Sequence, residues 1–133
     1  RDLHSFPTRR SSDLENLEKE TTCKIFIHNL FDKQDLKSSV KDSSLLVNAT
    51  SVGMAPHTED CIIEDNSIFH KHLAVADIIY NPWETTLLKK AKAEGCKAFN
   101  GYSMLLYQGA EAFRIWTGKE MPIELVKEHL KQA

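Results

Sequence analysis

Glycine is scarce in this chain, and its five copies never fall into a GxGxxG run. A glycine-rich turn that seats a pyrophosphate on a helix N-terminus is therefore missing from these 133 residues. Cysteine is scarcer still. Cys23, Cys61 and Cys96 are odd in number, far apart and free of CxxC spacing, which argues against a disulfide framework and for reduced thiols. No apolar run approaches the length of a membrane span, and the N-terminus lacks the apolar stretch of a secretory signal, so a cytoplasmic protein is expected. Charge of one sign is also lacking: the net charge is −2 with the histidines neutral, which gives no electrostatic case for nucleic acid or an anionic membrane. What remains is a composition of 41% hydrophobic and 27% charged residues, ordinary for a globular domain, in a chain long enough for one real core.

Residues 1–14, RDLHSFPTRRSSDL, differ from the rest. Three of the chain's four arginines (Arg1, Arg9 and Arg10) lie here, whereas all thirteen lysines come at Lys19 or later. The segment has no helical or strand period, and Pro7 breaks its middle. It resembles a translated sequencing-adapter sequence fused to a truncated gene; the alternative is a disordered basic arm. Residues 15–133 carry the fold.

Residues 15–22 suit the end of a helix. Cys23 to Leu30 is β-branched and aromatic and is expected as a first strand. Asp32 can cap a short helix bearing Leu36 and Val40 at i, i+4. Ser44 to Asn48 reads as a second strand, followed by Ala-Thr-Ser-Val-Gly-Met; Ala55 to Asn66 reads as a loop, and Ser67 to Leu73 as a single turn. Ala74 to Tyr80 is a third strand, cut off at Asn81-Pro82. Glu84 to Glu94 is an amphipathic helix with Leu87, Leu88 and Ala91 inward, closed by Gly95. Cys96 to Phe99 is a fourth strand. A helix from about Ser103 to Thr117 follows, with Gly118 ending it, and Pro122 starts a last helix over Ile123 to Lys131.

Strands and helices alternate, the strands are apolar on both faces, and the crossovers are of βαβ length. The fold class expected is α/β, a parallel, doubly wound sheet of about four strands. Ligands of such sheets bind outside the carboxyl ends of the strands. Three polar clusters fall there: Asn48 to Met54, Tyr80 to Pro82, and Asn100 with Gly101. The helix beyond the last cluster places Leu106, Ala110, Phe113 and Thr117 on one face, with Leu105, Gly109 and Trp116 beside them, a pattern that predicts a broad buried stripe. Gln108 sits among these apolar neighbours, either as a structural amide bonded to a neighbouring loop or as a ligand-binding one.

Asn48-Ala49-Thr50-Ser51-Val52-Gly53-Met54, Asp77-Ile78-Ile79-Tyr80-Asn81-Pro82, Gly101-Tyr102-Ser103-Met104-Leu105-Leu106-Tyr107-Gln108-Gly109-Ala110 and Trp116-Thr117-Gly118 closely resemble, in order and spacing, the C-terminal half of shikimate dehydrogenases. The likeness runs from about Cys23 to the end, and Gly-Tyr-x-Met-Leu-Leu with Trp-Thr-Gly-Lys is similar to the quinate/shikimate dehydrogenase branch. The resemblance implies the C-terminal part of a Rossmann-type, NAD- or NADP-binding domain. It also implies a parent enzyme that reversibly reduces 3-dehydroshikimate to shikimate on the route to aromatic amino acids and acts on small molecules such as shikimate or quinate, with a homodimer as one expected form of the whole protein. It implies substrate-binding roles for Gln108 and Tyr80, and cofactor-binding roles for Thr50, Ser51, Ile78, Gly101 and Met104. A glycine at 101 admits a close backbone approach, and an amide at 108 can donate and accept toward a vicinal polyol.

Other candidates are weaker. His70-Lys71-His72 has no carboxylate or thiol in register for a metal, Cys96 has no paired base, and Lys89, Lys90 and Lys92 suit a solvated helix face. The family's proton-handling lysine and aspartate lie in a substrate domain outside these residues, so no catalytic residue is assigned and negligible turnover is expected. A non-catalytic α/β ligand-binding or interaction module is the competing reading.

Overall fold

The computed structural model describes residues 16–130; the arm over residues 1–14 lies outside them. The chain divides into two units between Leu36 and Lys37.

In the first unit residues 16–20 are helical, and both the N–H and the hydroxyl of Thr21 donate to the Leu17 carbonyl at 3.0 and 2.8 Å. The first expected strand does not form. Residues 23–30 enter no ladder, and Phe26 is 73% exposed. Branched and aromatic side chains favour extended backbone, but a strand is a pairing, and every ladder among the described residues lies between Leu45 and Phe99. Here local polar bonds take over. Asp35 accepts from Asn29 N–H at 3.1 Å and meets the His28 ring at 2.7 Å, while Asp32 Oδ1 accepts from the N–H groups of Gln34 and Asp35 at 3.0 and 3.1 Å, capping helix α1 (Lys33–Lys41).

The second unit is built on a three-stranded parallel sheet, β1 (Leu45–Asn48), β2 (Ala74–Asp77) and β3 (Lys97–Phe99), ordered β1-β2-β3. Register pairs Leu46 with Val75 and Asn48 with Asp77, and Val75 with Ala98. Helix α2 (Thr86–Ala93) packs on β2 and β3, with Leu87, Leu88 and Ala91 buried as their spacing requires. Gly95 follows it at φ +80°. This is one complete βαβ unit. The β1–β2 crossover, by contrast, carries no α-helix, only a 3-10 turn at Asn66–Ile68 capped by Asp65. Its core contribution comes from Ile63, Ile68, Phe69 and Leu73, and Lys90 pins it by donating to the Ile63 carbonyl at 2.9 Å.

Helix α3 (Tyr102–Thr117) ends at Gly118, whose φ of +68° is a left-handed cap. Helix α4 (Ile123–Leu130) begins after Pro122 and packs on α3. The buried stripe expected on α3 is narrower than its sequence suggests: Leu106 is buried and Ala110 and Phe113 are half-buried, but Leu105, Gly109 and Thr117 are exposed and Trp116 is 82% exposed. The sheet shows the same imbalance. Val75, Asn48 and Asp77 on one face are buried, whereas Leu45, Val47 and Phe99 on the other are exposed. Helical and strand periods record which side chains are apolar; burial also requires a neighbour to cover them.

Candidate functional site

Parallel strands end together, so the loops that leave them meet at one rim. At this rim Ala49, Thr50, Ser51, Met54 and Ala55 after β1, Ile78 to Asn81 after β2, and Met104 from α3 line one cleft of about 530 Å³. Five of the seven residues singled out from sequence (Thr50, Ser51, Ile78, Tyr80 and Met104) are among them. The cleft is mostly apolar, with the Thr50, Ser51 and Tyr80 hydroxyls as its polar points. Neither Ser51 nor Tyr80 uses its hydroxyl in a hydrogen bond among the described residues.

Gly101 serves from behind. Its N–H donates to the Ile79 carbonyl at 2.9 Å, and a Cβ built there would lie 1.9 Å from the Ile78 carbonyl oxygen. No side chain fits, so glycine lets the start of α3 close against the strand that presents Ile78 to the cleft. Gly101 also occupies the cap of α3, and Ser103, where the helix was expected to begin, lies inside the first turn. Asn100 supplies the local bonds instead: its Oδ1 accepts from Tyr102 N–H at 3.3 Å, and its Nδ2 donates to the Trp83 carbonyl at 3.0 Å.

Under the rim runs a polar network that sequence reasoning did not assemble. Asn48, Asp77 and Thr85 are 1%, 2% and 1% exposed. Asn48 Nδ2 donates to Asp77 Oδ1 at 3.2 Å and to the Val52 carbonyl at 3.3 Å, and Asn48 Oδ1 accepts from the Thr50 N–H and hydroxyl at 3.1 and 2.7 Å. Asp77 also accepts from Ile79 N–H at 3.0 Å and from the Thr85 hydroxyl at 2.7 Å. Thr85 caps α2 by accepting from Leu88 N–H. The available signal was a polar residue at the last position of two adjacent apolar strands, which parallel register sets side by side.

A family model of the shikimate 5'-dehydrogenase C-terminal domain matches residues 101–131. Quinate/shikimate dehydrogenase from Escherichia coli is 40% identical over 114 residues, 86% of this chain and 40% of that protein. The crystal structure of shikimate 5-dehydrogenase from Listeria monocytogenes in complex with shikimate and NAD is similar at a TM-score of 0.88 and 35% identity, over 96% of this chain and 44% of that one. Over most of its length the chain is similar to the C-terminal part of shikimate dehydrogenases. The Thermus thermophilus shikimate 5-dehydrogenase, solved with NADP(H) and shikimate, is similar at a TM-score of 0.62 and 36% identity, over 73% of this chain and 36% of that one. The chain thus spans about 40% of the length of the curated relatives it matches. The expected α/β, Rossmann-like class holds, with three parallel strands among the described residues where about four were expected.

Gln108 is not among the residues lining the cleft. It lies one turn beyond Met104 on the same stripe of α3, exposed, with no hydrogen bond from its amide among the described residues. The expectation of an amide held among buried neighbours fails because that part of α3 is uncovered. Cys96 is buried, its thiol is pushed up by that burial, and it donates to the His70 carbonyl, which makes it a packing residue. His70 turns Nε2 toward the Val40 carbonyl at 3.4 Å, and His72 is exposed.

Proposed function

We propose that residues 15–133 are the C-terminal part of an NAD(P)-binding domain, and that the whole protein is a quinate/shikimate dehydrogenase that reversibly reduces 3-dehydroshikimate to shikimate with NADH or NADPH. The observation that carries this reading is the convergence of Thr50, Ser51, Ile78, Tyr80 and Met104, from three separate stretches of sequence, on one cleft. The names of the E. coli, Listeria and Thermus relatives support the same chemistry.

The bound cofactor supplies the hydride. The residues of this chain hold and orient. Ile78 and Met104 offer an apolar wall to the nicotinamide end, with the bare backbone of Gly101 behind it, while Thr50 and Ser51 form the turn toward its ribose and phosphates. The Tyr80 hydroxyl and the Gln108 amide each donate and accept, as the hydroxyls of shikimate or quinate require. Asp77 is the one buried carboxylate among the described residues, and Asn48, Ile79 and Thr85 occupy its oxygens, so it does not exchange the substrate's proton. With no carboxylate here assigned to proton exchange, negligible turnover is expected of this chain alone. We place the parent in the cytoplasm as a homodimer; the free thiols Cys23, Cys61 and Cys96 fit a reducing compartment, and no helix among the described residues is long and apolar enough to cross a membrane.

The test is a chimera in which this chain replaces the matching segment of the E. coli relative. NADH- or NADPH-dependent reduction of 3-dehydroshikimate is expected from the chimera and not from the chain by itself. A folded chimera that binds NADPH yet leaves 3-dehydroshikimate and 3-dehydroquinate unreduced overturns the reading in favour of a non-catalytic binding module.

A further inference from the structure

The turn over Thr50 to Met54 is held from both sides by groups that do not line the cleft. On one side Asn48 uses its whole amide: its oxygen takes the N–H and hydroxyl of Thr50, and its nitrogen binds the Val52 carbonyl and Asp77. The Thr50 hydroxyl, already donating to Asn48, also accepts from Val52 N–H at 3.1 Å. On the other side Gly53 is buried at φ +95°, where a Cβ would meet the Asp60 carbonyl at 3.2 Å and the Thr85 side chain at 3.7 Å. Thr85 closes the ring by donating to Asp77. The route runs from Thr50 through Asn48, Asp77 and Thr85 to Gly53, and so back to the same turn.

From this geometry we infer that Asn48, Asp77 and Thr85 are positioning residues for the nicotinamide cofactor, that the Thr50 hydroxyl is spent on the turn, and that the Ser51 hydroxyl is the side-chain group this turn offers to the ligand. The inference rests on the proposed dehydrogenase reading for the identity of the ligand, but its structural half does not. A buried amide with all four of its bonds made and a buried carboxylate with a donor on each oxygen hold one arrangement, because leaving any of those groups unpaired inside the protein is costly. The turn is fixed before a ligand arrives, which lowers the ordering cost of binding.

Two readings of the same 15N-labelled chain test it: amide hydrogen exchange at Thr50, Val52 and Leu88, and NADPH titration followed by chemical shift. Thr85→Val keeps the branched shape and removes the hydroxyl. If Thr85 only caps α2, protection falls at Leu88 alone; if it positions the turn, protection falls at Thr50 and Val52 as well, and Thr85→Ser restores both. Asn48→Ala is expected to lower protection at Thr50 and Val52 and to weaken NADPH binding by roughly tenfold, the scale of one or two lost hydrogen bonds. Ser51→Ala is expected to weaken binding with protection unchanged. Thr85→Val that leaves Thr50 and Val52 protected, or Thr50→Val that weakens binding while Val52 stays protected, overturns the inference. A wild-type chain that shows no NADPH shifts counts against the cofactor reading, and the exchange data still decide the positioning role.

Discussion

Gly101 shows how much one absent atom controls. The Cβ that alanine would bring stands 1.9 Å from a backbone oxygen of the β2 loop, and backbone cannot swing away as a flexible side chain does. Gly101→Ala is therefore expected to cost about 3 kcal/mol by the overpacking scale, read as a lowered urea midpoint, and to shift the amides of Ile78 and Ile79. Gln108 is the opposite case. With an exposed, unbonded amide, Gln108→Ala is expected to move stability by less than about 0.5 kcal/mol, while the chimeric enzyme loses affinity for shikimate. A drop in stability as large as that of Gly101→Ala would mean the amide is structural after all. Asp77 holds three donors in the interior, so Asp77→Ala leaves Asn48 and Thr85 each short of a partner, and a loss of about 3 kcal/mol or more is expected in the same measurement.

Helix α2 is the element whose placement the sequence shows most fully. Leu87, Leu88 and Ala91 lie inward at helical spacing, Gly95 follows at positive φ, the start moves from Glu84 to Thr86 because Thr85 takes the cap, and the end moves by one residue, from Glu94 to Ala93. The strands after Ser44 are legible for a similar reason: short branched runs stopped by polar residues match a parallel sheet whose neighbours are present. Cys23 to Leu30 carries the same local signal and pairs with nothing among the described residues, since strand propensity is a statement about fit to neighbours. At the rim, Thr50, Ser51, Ile78, Tyr80 and Met104 were legible through resemblance, whereas the Asn48–Asp77–Thr85 network was hidden, because its geometry depends on register across twenty-nine residues. Helix α1 has a pH-dependent start. The His28 hydrogen bond, with Asn29 N–H assisting, holds the Asp35 carboxyl below its ordinary value. A lowered folded pKa means the contact stabilises above the ordinary carboxylate range and is lost as pH falls through the lower folded value. An NMR titration should show the Asn29 amide shifting with Asp35 below that range; an Asn29 amide that is flat across acid pH sinks the coupling.

Within the second unit, and among the described residues, coverage is one-sided. The sheet face bearing Leu45, Val47 and Phe99 and much of α3 leave apolar groups in water, although the composition is ordinary. The chain is expected to self-associate with rising concentration, and a double substitution, Leu45→Glu with Phe99→Glu, is expected to shift the sedimentation profile back toward monomer. A monomer at every accessible concentration would show that this face is not sticky enough to matter. The exposed aromatic residues have a further, optical consequence. Both indoles lie outside the core: Trp83 stands with its ring centroid 4.9 Å from that of Tyr102, two residues beyond the cleft's Asn81, and Trp116 projects from the last turn of α3. Emission from the folded chain is therefore expected to be dominated by the exposed Trp116, and melting is expected to change the colour of that emission little. With Trp116 replaced by phenylalanine, the remaining indole stands two residues beyond a residue of the cleft, and a change in its emission is the expected readout of cleft occupancy.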